Sequence, residues 1–306
     1  MAGGGILIRR GGLLSVCAGW LLLRANIFQL KNMRIQLFPR LAAAVTAVVV
    51  VKAAAADPLS NAAAVVPEAD LAQQLANPVA SLISVPFQAN WDFGIGVNDA
   101  TRFTLNIQPV IPMSLNDDWN LIVRTILPVI DAESPAPGVA SASGLGDTVQ
   151  SFFFSPKAPV GGWILAGGPV ALWPTATDAQ LGGEKWGLGP TGLALKQDGP
   201  WTYGVLVNHL WSVAGDGSRP DVNASFVQPF CSYITKTKTT FTVNSESTYD
   251  WSRSQWNMPV NFVVSQLFKI GKQPMQAFVG GRYYLDGPSG GPEWGIRAGL
   301  VLLFPK

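Results

Sequence analysis

From Ser81 onward, apolar and polar positions alternate along the chain with a period of two. In the last such run Trp294, Ile296, Ala298, Leu300, Leu302 and Phe304 share one face, and Gly295, Arg297, Gly299, Val301 and Leu303 share the other. Successive strand residues point to opposite faces, so this run predicts a strand with an apolar side bounded by an aromatic at each end. Ten residue steps at about 3.3 Å give roughly 33 Å of strand. A tilt of about 40° reduces that to roughly 25 Å, the height of the apolar band on a membrane barrel. The same period runs through 87–93, 103–111, 119–129, 201–211, 240–249 and 275–285, and Trp201 and Trp211 repeat the ten-residue aromatic spacing. Segments 145–156, 162–173, 187–197, 223–234 and 256–269 are strand-like with blurred alternation. The expectation is an all-β fold, an up-and-down transmembrane β-barrel of twelve antiparallel strands, even-numbered as bacterial single-chain barrels are.

The connections sort into two sets. Links 115–118, 157–161, 197–200, 235–237 and 270–274 are short, whereas 131–144, 174–186, 213–222 and 286–293 are longer. Links 97–101 and 250–255 are short but fall on the long side. Short periplasmic turns alternating with longer external loops are the mark of an outer-membrane barrel; a soluble sandwich has no reason to keep that alternation.

The N-terminal third reads differently. Met33 to Arg40 is a basic stretch, Leu41–Val51 an apolar run, and Ala54-Ala55-Ala56 a small-residue end, together the pattern of a secretory signal peptide cut before Asp57. Residues 1–56 are therefore expected to be leader, with 1–32 an over-extended start, leaving 57–80 as an N-terminal segment and 81–306 as the barrel. Within 57–80, Pro67 followed by acids and closed by Asn77-Pro78 predicts one short helix of two to three turns. The sequence leaves open whether it plugs the lumen or lies under the barrel.

Composition sharpens this picture. Of 306 residues only 13% are charged although 48% are hydrophobic; soluble domains carry roughly 25% charge. No apolar run reaches the roughly 20 residues that a spanning helix needs. A net charge of +2 without a basic stripe argues against nucleic acid. Cys17 falls in the leader, so the mature chain keeps one thiol, Cys231, and no internal disulfide. His209 is the single histidine, too few for a multi-histidine metal site or an evident serine-hydrolase triad. By parity it joins the apolar face. No catalytic residue, metal or cofactor is expected, and the protein is not expected to be an enzyme.

Candidate functional residues follow from parity. A charge facing lipid near the midplane costs about 2–4 kcal/mol, so Arg124, Glu246, Lys269, Arg282 and Arg297, all opposite the apolar stripe, are expected to line the lumen. Trp119, Trp201, Trp211, Tyr249, Trp294 and Phe304 are expected at the membrane interfaces.

Gln74–Gln88 (QLANPVASLISVPFQ) and Gly144–Pro156 (GLGDTVQSFFFSP) resemble a bacterial family of outer-membrane proteins known as transporters or, misleadingly, neuromedin U, related to the phenol-degradation MetA-pathway barrels. Asn208–Ser212, Gln228–Phe230, Leu267–Gly271 and Trp294–Lys306 extend the resemblance, which covers Leu71 to the C-terminus. It implies a Gram-negative outer-membrane location, lipid as the surrounding partner, insertion by barrel-assembly machinery and transport of small hydrophobic or aromatic solutes. It supplies no catalytic residues. The chain departs from the common terminal Phe by adding Pro305-Lys306. The function expected is passive or facilitated passage of small molecules. The alternatives are a structural or adhesive barrel whose external loops bind partners, and a barrel-embedded enzyme. Solute and oligomeric state are left open.

Overall fold

The chain divides into two units, Met1–Ala62 and Ala63–Lys306. The structure, a computed structural model, describes residues 68–305, which lie in the second. The expected leader, 1–56, lies outside the described residues, as does the first part of the 57–80 segment.

A short helix, α1 (Glu68–Leu75), precedes sixteen strand segments. They are β1 (Ile83–Ile95), β2 (Ala100–Ile107), β3 (Val110–Ser114), β4 (Trp119–Ala132), β5 (Ala142–Leu145), β6 (Thr148–Pro156), β7 (Ile164–Trp173) and β8 (Lys185–Asp198). The second half holds β9 (Trp201–Gly215), β10 (Asn223–Ile234), β11 (Thr239–Ser245), β12 (Ser247–Asp250), β13 (Gln255–Asn257), β14 (Pro259–Ile270), β15 (Gln273–Tyr284) and β16 (Trp294–Phe304). Four pairs, β2 with β3, β5 with β6, β11 with β12 and β13 with β14, are single staves with an interruption, so the wall has 12. At Pro109 the cause is plain: proline has no N–H to give the ladder, yet the register continues from Ile107↔Leu127 to Val110↔Arg124.

Every neighbour pair is antiparallel, and β16 pairs with β1 from Ile83↔Phe304 to Phe93↔Trp294, which closes the barrel. Closure removes the unpaired edge that a sheet would otherwise expose to lipid. Tight hairpins join the staves at one end; Gly199 and Gly271, with φ of 53° and 59°, take the left-handed conformation that such turns need. The longer loops lie at the other end. Several staves run one to three residues further into them than periodicity suggests: β4 reaches Ala132 and β9 reaches Gly215.

Alternation in burial follows alternation in polarity. On β16 Trp294, Ile296 and Phe304 are exposed, whereas Arg297, Val301 and Leu303 are buried. Around the barrel, Val207, Val243, Phe262 and Val279 are likewise exposed. This outer apolar surface is bounded by two rings of aromatics. At the long-loop end Phe93 packs on Trp294 at 4.5 Å and Trp173 on Trp186 at 5.3 Å, with Trp211 beside them. Tyr249, half-buried between Trp251 and Trp256, belongs to the same ring. At the short-turn end Trp201 packs on Tyr233 at 4.8 Å, with Trp119 and Phe304 exposed. The outward-facing Gln150 and Thr125 satisfy each other: Gln150 Nε2 donates to Thr125 Oγ1 at 3.0 Å.

The chain before β1 enters the barrel. Leu71 and Ala72 of α1, with Ala80 and Leu82 beyond it, pack on the inward residues Leu267, Val301 and Leu303. Val79 reaches the opposite wall and packs on Ile122, Phe153, Leu193, Leu195 and Leu206. Asn77 makes the turn between the two contacts: its side chain accepts from Val79 N at 3.0 Å and its carbonyl from Ala80 N at 3.2 Å. The 71–82 segment thus spans the lumen at the short-turn end. Its fully buried aliphatic side chains each contribute about 1.5–3 kcal/mol to docking.

Candidate functional site in the barrel lumen

Two tiers of inward polar groups lie beyond this segment. The first is a charge network on the arc from β2 through β1, β16 and β15 to β14 and the β11–β12 junction. Arg297 binds Glu246 in bidentate fashion, 2.9 Å from Oε1 and 2.6 Å from Oε2, while its Nε donates to Asn90 at 2.8 Å. Arg282 donates to the same Glu246 at 2.7 Å, to Asp92 at 3.3 Å and to Asn261 at 2.9 Å. Asp92 also accepts from Tyr284 at 2.9 Å and from Arg102 at 3.3 Å. Asn261 passes the chain on to Asn244 at 2.7 Å. Register explains the assembly: Asn90↔Arg297 and Asp92↔Gly295 are cross-strand pairs of β1 and β16, and Arg282↔Gly295 of β15 and β16. Gly295 leaves the space through which Arg282 reaches Asp92, since a side chain there would meet the Asp92 carboxylate.

The second tier is Arg124 on β4. It donates to Gln108 at 3.1 Å and makes no ion pair among the described residues. It borders a cavity of about 190 Å³ between the 74–82 segment and the wall. Lys269 shares the inward parity of β14 but is exposed two residues before the Gly271 turn. It stands at the rim of the barrel, outside both tiers, because the strand ends there. Sequence reasoning missed Asp92, Arg102 and Tyr284 as partners. Asp92 sits on the polar face of β1 beside Asn90, but only the closing register brings it to Arg282.

His209 lies on the outer face. Its Nδ1 is 2.7 Å from Ser225 Oγ, which also accepts from Trp251 Nε1 at 2.9 Å. The His209 Nε2 is buried and has no hydrogen-bond partner among the described residues. Among the described residues no cluster of three metal-ligating side chains occurs.

At the external end, Asp147 accepts from the backbone of Ala176 and Gly183, and Arg219 donates to the carbonyls of Ala179 and Gly182, tying loop 174–184 to the β5–β6 junction and to loop 216–222. Asp221 accepts from Lys185 at 3.0 Å and Ser212 at 3.1 Å; these bonds, and the lysine charge, hold its carboxyl below the ordinary carboxylate range.

Closed antiparallel staves, an apolar outer wall with an aromatic ring at each end and inward charge define an outer-membrane β-barrel. No family model matches the chain, and no curated protein sequence matches it either. Among solved structures, it resembles an outer membrane channel from Pseudomonas putida F1 at 16% identity, with 73% of this chain and 94% of that one covered and a TM-score of 0.57. It is also similar to the NanC porin (11% identity, 71% and 98% covered, TM-score 0.48) and, at a TM-score of 0.41, to outer membrane phospholipase A from Escherichia coli (12% identity, 71% and 92% covered). The first of these likenesses supports the fold.

Proposed function

We propose that the barrel passes small molecules across the outer membrane, without catalysis of its own, and that the 71–82 segment occludes the path. The observation that carries this reading is the way the lumen is closed. A filled barrel closes with wall side chains packed on one another; here the short-turn end is closed by a segment that is not part of the wall. That segment is held chiefly by apolar contact. Its hydrogen bonds to the wall among the described residues are Gln197 Nε2 to the Gln73 carbonyl at 2.7 Å, Gln73 Nε2 to the Gly199 carbonyl at 3.5 Å and Asn120 Nδ2 to Ser81 Oγ at 3.3 Å. Displacing it leaves the staves and their ladder intact.

The resemblance of Gln74–Gln88 and Gly144–Pro156 to the transporter and phenol-degradation barrels supports the same reading, as does the channel described for the P. putida protein. Insertion by barrel-assembly machinery follows from the fold class. Purified protein in a planar bilayer is expected to give discrete conductance steps, and liposomes carrying it to swell in small solutes. Absence of steps under every solute gradient would favour a structural barrel acting through its external loops.

A further inference from the structure

The cavity beside Arg124 has a composition that neither the sealed charge network nor the apolar closure shares. Part of its lining is polar. Arg124 carries a guanidinium with no counter-charge bonded to it, and the side-chain amides of Gln74, Gln228 and Gln276 face the same space without a hydrogen bond among the described residues. The rest includes Leu82, Val110 and Val301, with Val110 the cross-strand neighbour of Arg124 and Val301 that of Gln276, so apolar groups lie directly beside the polar ones. None of these unpaired side-chain atoms is fully buried, so each is open to a solute in the lumen. Three free amides around one cavity, beside a planar cation whose one side-chain hydrogen bond goes to Gln108, make a recognition surface. Among the described residues nothing acidic borders the cavity, so its lining favours an anion over a cation.

Guanidinium geometry matches a carboxylate, which can take two parallel N–H donors, and the amides can donate to the remaining lone pairs. A cavity of about 150 Å³ holds benzene, so about 190 Å³ accommodates a carboxylate with an apolar body of roughly six carbons. We propose that this cavity is a binding site for a small monocarboxylate with an apolar tail, its carboxylate on Arg124 and its tail against Leu82, Val110 and Val301. The assignment rests on the reading of the lumen as a solute path, and it names the chemistry that the path selects.

Titration calorimetry on the full barrel in detergent tests it with hexanoate, its neutral isostere hexanamide, and acetate. Hexanoate is expected to saturate one site, with hexanamide and acetate each weaker by about tenfold or more, because one lacks the charge-assisted bond and the other the tail. Arg124→Gln is expected to abolish the preference for hexanoate over hexanamide. Equal binding of hexanoate and hexanamide by the unmodified barrel overturns the proposal without recourse to any variant, as does a preference that survives Arg124→Gln. Acetate matching hexanoate overturns the apolar half of the site. Binding in detergent needs no transit: a barrel that shows the preference but conducts nothing overturns the passage reading alone, and one that conducts without the preference overturns the site alone.

Discussion

Arg297 is only 2% exposed, and each of its guanidinium nitrogens donates to Glu246 or Asn90. Glu246 also holds Arg282, so one carboxylate compensates two buried cations. Removing one partner of a buried ion pair costs about 3–5 kcal/mol because it strands the other charge. Glu246→Gln is therefore expected to lower stability by about that amount, seen as a lower temperature for converting the folded gel band to the unfolded one. Because Arg282 is engaged by Asp92, Asn261 and Glu246, Arg282→Glu should likewise destabilise and leave ion preference unchanged. A shift towards cations with stability intact would show instead that Arg282 meets passing ions rather than being held by its partners. Part of this was legible in the sequence. Parity sets Arg282 and Arg297 opposite an apolar stripe, and lipid penalises the reverse arrangement. The partnership of Arg282 with Asp92, 190 residues away, was not, because it depends on which staves close the barrel.

Two elements outside the regular wall set its two ends. The 71–82 segment is docked by Val79 on Ile122, Phe153 and Leu206, and by Leu71 and Leu82 on Leu303 and its neighbours. A carboxylate at position 79 would have no cation among those partners, and a buried unpaired charge costs several kcal/mol. Val79→Asp is thus expected to expel the segment and raise bilayer conductance while the folded band on an unboiled gel stays where it was. The short helix was legible from Pro67 and Asn77-Pro78, and is observed as Glu68–Leu75. Its place in the lumen was not, since the inward half of Val301 and Leu303 reads as ordinary strand alternation until something is known to pack on it. At the external end, the depressed carboxyl of Asp221 contributes to loop attachment above the ordinary carboxylate range. A folded pKa below the unfolded one means that this contribution is lost only as pH falls through the lower value. The protection of the Val222 amide against exchange, relative to an unstructured chain at the same pH, should stay high at neutral pH and fall only in strong acid, because its N–H bonds Ser212 beside Asp221; a loss of protection already at pH 6 would contradict the attachment.

For the whole molecule, twelve staves and an outer-membrane location were legible because lipid allows so few solutions. Every backbone polar group must find an internal partner, charges must turn inward, and aromatics collect at both interfaces. Those constraints act on residue types at fixed spacing, which a sequence displays directly. The state of the lumen depends on contacts between chain segments far apart, which it does not display. The most direct test of occlusion by the 71–82 segment is to tether it. Gln73 and Gln197 already touch, with Gln197 Nε2 2.7 Å from the Gln73 carbonyl. In a background of Cys17→Ser and Cys231→Ser, Gln73→Cys and Gln197→Cys can be joined by a short bis-maleimide, and conductance measured before and after. The account predicts conductance steps from the untethered barrel and their loss on tethering; steps of unchanged size and frequency after complete cross-linking would contradict it.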